Sequence, residues 1–455
     1  MSAARAHPRW TLFACVLASS LSFVEGSVLN VALPAIRASY GAGAGEVQWV
    51  VNAYLLPLGV AAARRRAWRS LRPPPPARHR HQPVRARQPR LRARPEPAQP
   101  ARRPRRAGRR CRAAAAQQPR LAPAAYDADQ RGHAVGIWAA AGAASAAVAP
   151  LIGGWLVDHV GWPAIFYLNL PLAAGAILLA LKFVAESQDK GAARTDYAGA
   201  LLATLGLGGT TYGLTRWSST ASLDPVAIAT IVIGLALLAA FLWVEARHGD
   251  AAMMPLGMFA DRCFAGLNLL TFLLYGAFGA AMLLIPYVLI EAGGYSPVET
   301  GLAMLPLPIL LTLASPPMGQ LAGRIGPRSF LIVGPLVVAA GMIVGRSIGA
   351  EASYWTSVFP AMAVMAAGMA IAVAPLTASV LGSVDEKHVG TASGFNSAVA
   401  RTGGLIATAA LGVVLSRQGE ALIVGVHLVL VGGAVTAVAA SAAALLLVKQ
   451  VRMKT

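Results

Sequence analysis

A single carboxylate, Glu25, stands inside the apolar run from Trp10 to Ile36. An acid in the middle of a lipid-crossing segment is costly as the anion, so its pKa rises until it is neutral part of the time. Glu25 is therefore the candidate proton carrier; a protonated Glu hydrogen-bonded to a neighbouring helix is the structural alternative. Arg401 is a guanidinium within another apolar stretch and needs an anionic or carbonyl partner. It either gates or binds along a pathway, or holds structure by snorkelling. Asn30 and Asn396, also inside apolar runs, orient substrate or proton-bearing groups, or tie helices together. Pro150 with Gly153 and Gly154 removes one helical donor and two side chains, so a helix there bends and approaches a neighbour closely. Gly319, Arg324, Gly326 and Arg328 form a polar break whose cations suit helix C-terminal carbonyls or acids across a bundle.

Nothing in this inventory makes or breaks bonds. The eight His are scattered, two of them in an Arg-rich tract, and show no metal spacing. Three cysteines, Cys15, Cys111 and Cys263, are far apart and odd in number, which suggests neither a disulfide framework nor a metal site. No phosphate-binding loop is present, which argues against an ATP-driven pump. The chain is expected to be no enzyme and to use no cofactor.

The elements that must position these residues follow from composition. The 455 residues are 56% hydrophobic and 13% charged, with a mean hydropathy of +0.57, whereas soluble domains carry about 25% charged residues. Apolar runs near the length of a bilayer crossing, about 20 residues, recur at Trp10–Ile36, Val47–Ala63, Val135–Val157, Ala164–Leu181, Ala198–Thr215 and Pro225–Val244. Six more come after them: Phe264–Ile290, Gly301–Ala322, Phe330–Val344, Trp355–Val384, Gly390–Leu415 and Ala421–Val448. An all-α polytopic membrane protein is predicted, lying in the lipid bilayer. Positive residues are retained on the cytoplasmic side. Lys182, Lys190, Arg194, Arg247, Arg262, Arg324, Arg328, Lys387 and the C-terminal Lys449, Arg452 and Lys454 share one side; Arg37, Arg216, Arg346 and Arg417 fall on the other. Both termini are expected in the cytoplasm, in the inner (plasma) membrane.

The net charge of +20 is local. Between Arg64 and Arg120 there are 20 Arg, no Lys and one acid, Glu96, so nearly the whole excess sits there. Such a stretch cannot enter the hydrocarbon core, since each central Arg costs about 2.5–3.5 kcal/mol even on the lenient insertion scale. It is expected to stay in water as a disordered segment. Trp68 is its one aromatic residue, which gives no stacking platform for single strands and no specific nucleic-acid role.

The motifs around the spans resemble the major facilitator superfamily, specifically its fourteen-span drug:proton antiporter branch (EmrB/QacA type). Glu25 with Asn30-Val31-Ala32-Leu33-Pro34 after it is similar to that branch's first-span motif, with Glu where Asp is commoner. Trp49 to Leu56 resembles the start of its second span, and Arg131 to Trp138 its inner loop before the fifth. Ala149-Pro150-Leu151-Ile152-Gly153-Gly154 looks like the antiporter motif with Ala149 in the first Gly position, and Trp162, Phe166, Asn169 and Pro171 fit the family's next stretch. Gly319 to Arg328 resembles the second cytoplasmic loop motif, with Gly323 where an acid is usual; Ala392 to Asn396 and Arg401 match the thirteenth family span.

The resemblance implies two pseudo-symmetric helical bundles, 1–63 with 126–185 and 249–455, plus two central extra spans within 186–248. It implies a monomer that exchanges protons for a small amphipathic or drug-like substrate, exported by alternating access. Residues 61–122 depart from the family as if frameshifted, and family spans three and four are not recognisable. A non-transporting remnant and a membrane-tethered polyanion binder remain open as other readings.

Overall fold

The computed structural model describes residues 8–41, 43, 46, 49, 145, 148–183, 197–220, 224–249, 252, 254–385 and 388–448. The second predicted span apart from Trp49, the Arg-rich tract, and the first part of the third span apart from Ser145 lie outside the described residues. All regular elements among the described residues are helical, and six are long and apolar enough to cross a membrane.

Helix α1 spans Pro8–Tyr40, longer than its apolar core at both ends. Pro34 has no amide, so the carbonyl of Asn30 loses its intrahelical donor. Helix α2 covers 148–159 and stops at Gly161, whose φ of +106° suits a residue without Cβ and whose amide bonds Leu156 O at 2.8 Å. Helix α3, Ala164–Phe183, then packs against α1.

Helices α4 (Tyr197–Thr220) and α5 (Pro225–His248) form a hairpin. Glycine makes it tight: a Cβ on Gly234 would lie 2.4 Å from Thr210 N, and one on Gly213 2.7 Å from Ala227 O. Small residues replace hydrophobic drive as the basis of helix association in lipid. Asp224 caps α5 through Val226 N at 3.1 Å and pairs with Arg216, which holds its carboxyl below the usual carboxylate range.

The C-terminal bundle is built around α6, Arg262–Glu291, which touches α1 as well as its own neighbours. It is joined by α7 (Pro297–Ala303), α8 (Pro306–Ile325), α9 (Arg328–Val344), α10 (Phe359–Gly382), α11 (Val389–Ala409), α12 (Gly412–Leu415) and α13 (Gly419–Leu447). Backbones of α6 and α11 nearly touch: a Cβ on Gly403 would stand 2.4 Å from Phe272 O.

Several expectations need correction. The eighth span is two helices, because Pro306 and Pro308 lack the amides that would bond the carbonyls of Leu302 and Met304. The eleventh span breaks at Ala410 and Leu411 without a proline, where a serine from α4 occupies the break. The tenth opens with a π-turn over Tyr354–Val358. Arg37 and Arg216, expected in loops, lie within α1 and α4, since helices continue past the apolar run into the polar boundary. Cys263, expected to be unlinked, is disulfide-bonded.

Candidate functional site

Helices α1, α6 and α11 run in the same direction, so their C-terminal ends share one side, here called distal. Among the described residues, polar ties at three places join α1 and α2 to the C-terminal bundle toward that side. In the first, Asn30 Nδ2 donates to Met282 O at 3.1 Å. That carbonyl is available because Pro286, four residues on, has no amide to offer it. In the second, Arg37 Nη1 donates to the Tyr287 hydroxyl and to Leu415 O at 3.1 Å, while Tyr287 Oη donates to the same carbonyl at 3.2 Å. Leu415 ends α12, where helical carbonyls have no intrahelical partner. In the third, Val298 N, in the first turn of α7, donates to Asp158 Oδ2 at 3.2 Å. Each polar tie thus uses a backbone group that a proline or a helix end has left over.

The Pro150, Gly153 and Gly154 motif lies within this contact. A Cβ on Gly154 would be 2.5 Å from Pro297 O, and one on Gly301 2.5 Å from Pro150 O, so α2 and α7 meet backbone to backbone. Gly153 faces Val28 of α1, whose Cγ1 would sit 2.7 Å from an added Cβ.

The other predicted residues separate into different surroundings. Asn396 Nδ2 donates to Asn268 Oδ1 at 3.2 Å and to Thr271 Oγ1 at 2.7 Å, a network internal to the C-terminal bundle. Arg401 lies in α11, two and three residues before Gly403 and Gly404, which pack against α6. Arg328 Nη2 donates to Leu445 O at 2.7 Å, a cation on the last carbonyls of α13. Arg324 sits in the last turn of α8, Gly326 ends that helix at φ +98°, a Cβ on Gly319 would meet Ala374 at 3.1 Å, and one on Gly323 would meet nothing within 4 Å. The Glu25 side chain lies outside the described residues; its backbone is five residues before Asn30 in α1.

Four participants escaped the sequence reading: Asp158, Ser218, Tyr287 and the Met282 carbonyl. Pro286 was the signal for the carbonyl, four residues downstream in an apolar helix. Nothing local marks Ser218. Its Oγ donates to Ala409 O at 2.7 Å and accepts from Gly412 N at 3.2 Å, bridging the α11–α12 break. A polar line also runs along α6, with Asn268, Thr271 and Tyr275 spaced to share one face.

The sequence profile of the Major Facilitator Superfamily matches residues 113–262 and 267–454. The chain is 31% identical over 433 residues to the multidrug resistance protein Stp of Mycobacterium tuberculosis, covering 89% of this chain and 75% of that one. It is 28% identical over 439 residues to the puromycin resistance protein of Streptomyces alboniger, covering 89% of this chain and 81% of that one. The tetracenomycin C resistance and export protein of Streptomyces glaucescens is 29% identical over 295 residues, 63% of this chain and 53% of that one. Among solved structures, a bacterial homologue of the human lysosomal transporter Spinster, inward-facing and unoccupied, shares the fold at a TM-score of 0.50 and 14% identity, covering 96% of each chain. The chain belongs to the Major Facilitator Superfamily.

Proposed function

We propose that this chain is a secondary transporter of the inner (plasma) membrane that exports small amphipathic or drug-like compounds in exchange for protons. The carrying observation is the distal contact between α1–α2 and the C-terminal bundle. Its polar ties among the described residues rest on leftover backbone groups, so they part without dismantling either bundle's own hydrogen bonding. That is what rocking of one bundle against the other requires. The family, and relatives named for resistance and export, support the same reading.

Within it, Glu25 carries the proton, and Asn30 and Asn396 lie along the substrate pathway. Arg401 lies along that pathway with them. Pro150, Gly153 and Gly154 form the sliding contact, and Gly319, Arg324, Gly326 and Arg328 a latch on the opposite, cytoplasmic side. The α4–α5 hairpin supplies the two extra spans of the fourteen-span antiporter branch. The bundles comprise 1–63 with 126–185, and 249–455; both termini are cytoplasmic and the unit is a monomer. Residues 61–122 derive from compensating frameshifts, a reading supported by the Arg-rich composition alone. Sequencing codons 55 to 130 tests it, and three frames without an apolar alternative would sink it.

Transport is tested in proteoliposomes with an imposed pH gradient. Wild type is expected to accumulate a drug-like cargo only with the gradient, and Glu25→Gln to lose the pH dependence. Unchanged proton coupling in Glu25→Gln would remove that residue from the mechanism.

A further inference from the structure

Tyr275 sits at the midpoint of α6, Arg262–Glu291. It precedes Met282 by seven residues, two helical turns, so both lie on nearly the same face, the one Asn30 meets from α1. It is therefore about 10 Å from that tie, on the side away from the distal contact. The half-buried ring packs on the buried core yet keeps accessible surface. Its hydroxyl makes no hydrogen bond among the described residues, unlike those of Tyr287 and Tyr295 in the same bundle. An enclosed tyrosine hydroxyl ordinarily finds a partner, so an accessible one without a protein partner faces something mobile.

Its neighbours along α6 are already engaged. Thr271 donates to Leu267 O and accepts from Asn396; Asn268 donates to Phe264 O and likewise accepts from Asn396. These groups are uncharged hydrogen-bonders on one face, and Tyr275 is the next member with its bond unmade.

We infer that Tyr275 is a cargo-contacting residue at mid-membrane depth, its ring face and hydroxyl fitted to neutral aromatic compounds that carry carbonyl or hydroxyl oxygens. This rests on the transporter reading and names the substrate class of its pathway. The ring stacks on the cargo's aromatic plane and the hydroxyl bonds its oxygen.

The test is equilibrium binding to the purified full chain, with an uncharged dihydroxyanthraquinone as probe and ethidium as the cationic comparison. Tyr275→Ala is expected to raise the dihydroxyanthraquinone Kd about tenfold, and Tyr275→Phe, which loses only the hydroxyl, about threefold. Tyr275→Trp keeps a ring and a donor and should stay within about threefold of wild type. Should the alanine variant lose its thermal transition, Tyr275→Leu stands in under the same criterion. Quinone binding unchanged in the ringless variant, absent from wild type, or insensitive while ethidium binding falls, would overturn the assignment. Binding that shows this pattern without export from proteoliposomes would instead overturn the transport reading and leave the assignment standing.

Discussion

Asn30 shows how one side chain and one proline make a contact that neither makes alone. Pro286 takes the helical donor from Met282 O, and Asn30 Nδ2 supplies another at 3.1 Å from a different part of the molecule. The two substitutions should therefore couple. Asn30→Ala leaves a part-buried carbonyl short of a donor, at a cost of about 1 kcal/mol. Pro286→Ala restores the ladder, so Asn30→Ala should cost less in that background. Interhelical bonds in lipid average near 0.6 kcal/mol, and a coupling of about 0.5–1.5 kcal/mol is expected from thermal unfolding of the four purified chains. Additive values would mean that the tie contributes nothing specific. Tyr287 has the same logic in a fully buried setting, its hydroxyl shared between Arg37 and the end of α12.

Among elements, glycine decides where helices meet backbone to backbone. Gly154→Ala puts a methyl 2.5 Å from Pro297 O, which α2 and α7 relieve only by separating. Overpacking of this kind costs about 1–3 kcal/mol. Gly323 has open space around its missing Cβ, so Gly323→Ala should be neutral or stabilise α8 by about 0.5–1 kcal/mol. Thermal stability of the two variants compares them directly; equal effects would sink the packing argument. The α4–α5 hairpin depends instead on a hydroxyl. Ser218 spans the α11–α12 break, and Gly412 leaves no room for anything larger, since its Cβ would lie 2.6 Å from Ser218 Oγ. Ser218→Ala strands Ala409 O and Gly412 N, and about 1–3 kcal/mol of stability should go. Faster amide exchange is expected at 410–415 than in wild type, and unchanged exchange there would show that the hairpin does not brace the break.

For the whole molecule, the proposed transport cycle makes the distal ties of α1–α2 to α6, α7 and α12 a closure. A thiol at Met282→Cys, just beneath it, should react slowly with a membrane-impermeant maleimide added from the distal side. Arg37→Ala removes both donations to Leu415 O and Tyr287 and should raise that rate about tenfold. Arg37→Lys should restore much of the closure, because both donations leave one nitrogen, Nη1, and a single ammonium also donates to two acceptors. Equal rates in wild type and Arg37→Ala would mean that Arg37 does not hold this face shut.

Much of this molecule was legible before folding. Long uncharged runs broken by charged turns demand helices in lipid, because hydrocarbon leaves backbone groups no other partner. Local chemistry also announced Pro150 with Gly153 and Gly154 as a close-packing site, since missing side chains and missing amides are visible in a string of letters. Partners were not legible. Asn30 is 252 positions from Met282, Ser218 is 191 from Ala409, and Arg37 is 378 from Leu415. No period or spacing links such pairs; only the packing of helices side by side does. For the same reason Tyr275 is one aromatic among many in the sequence, and only the packed helices set its unbonded hydroxyl apart from those of Tyr287 and Tyr295.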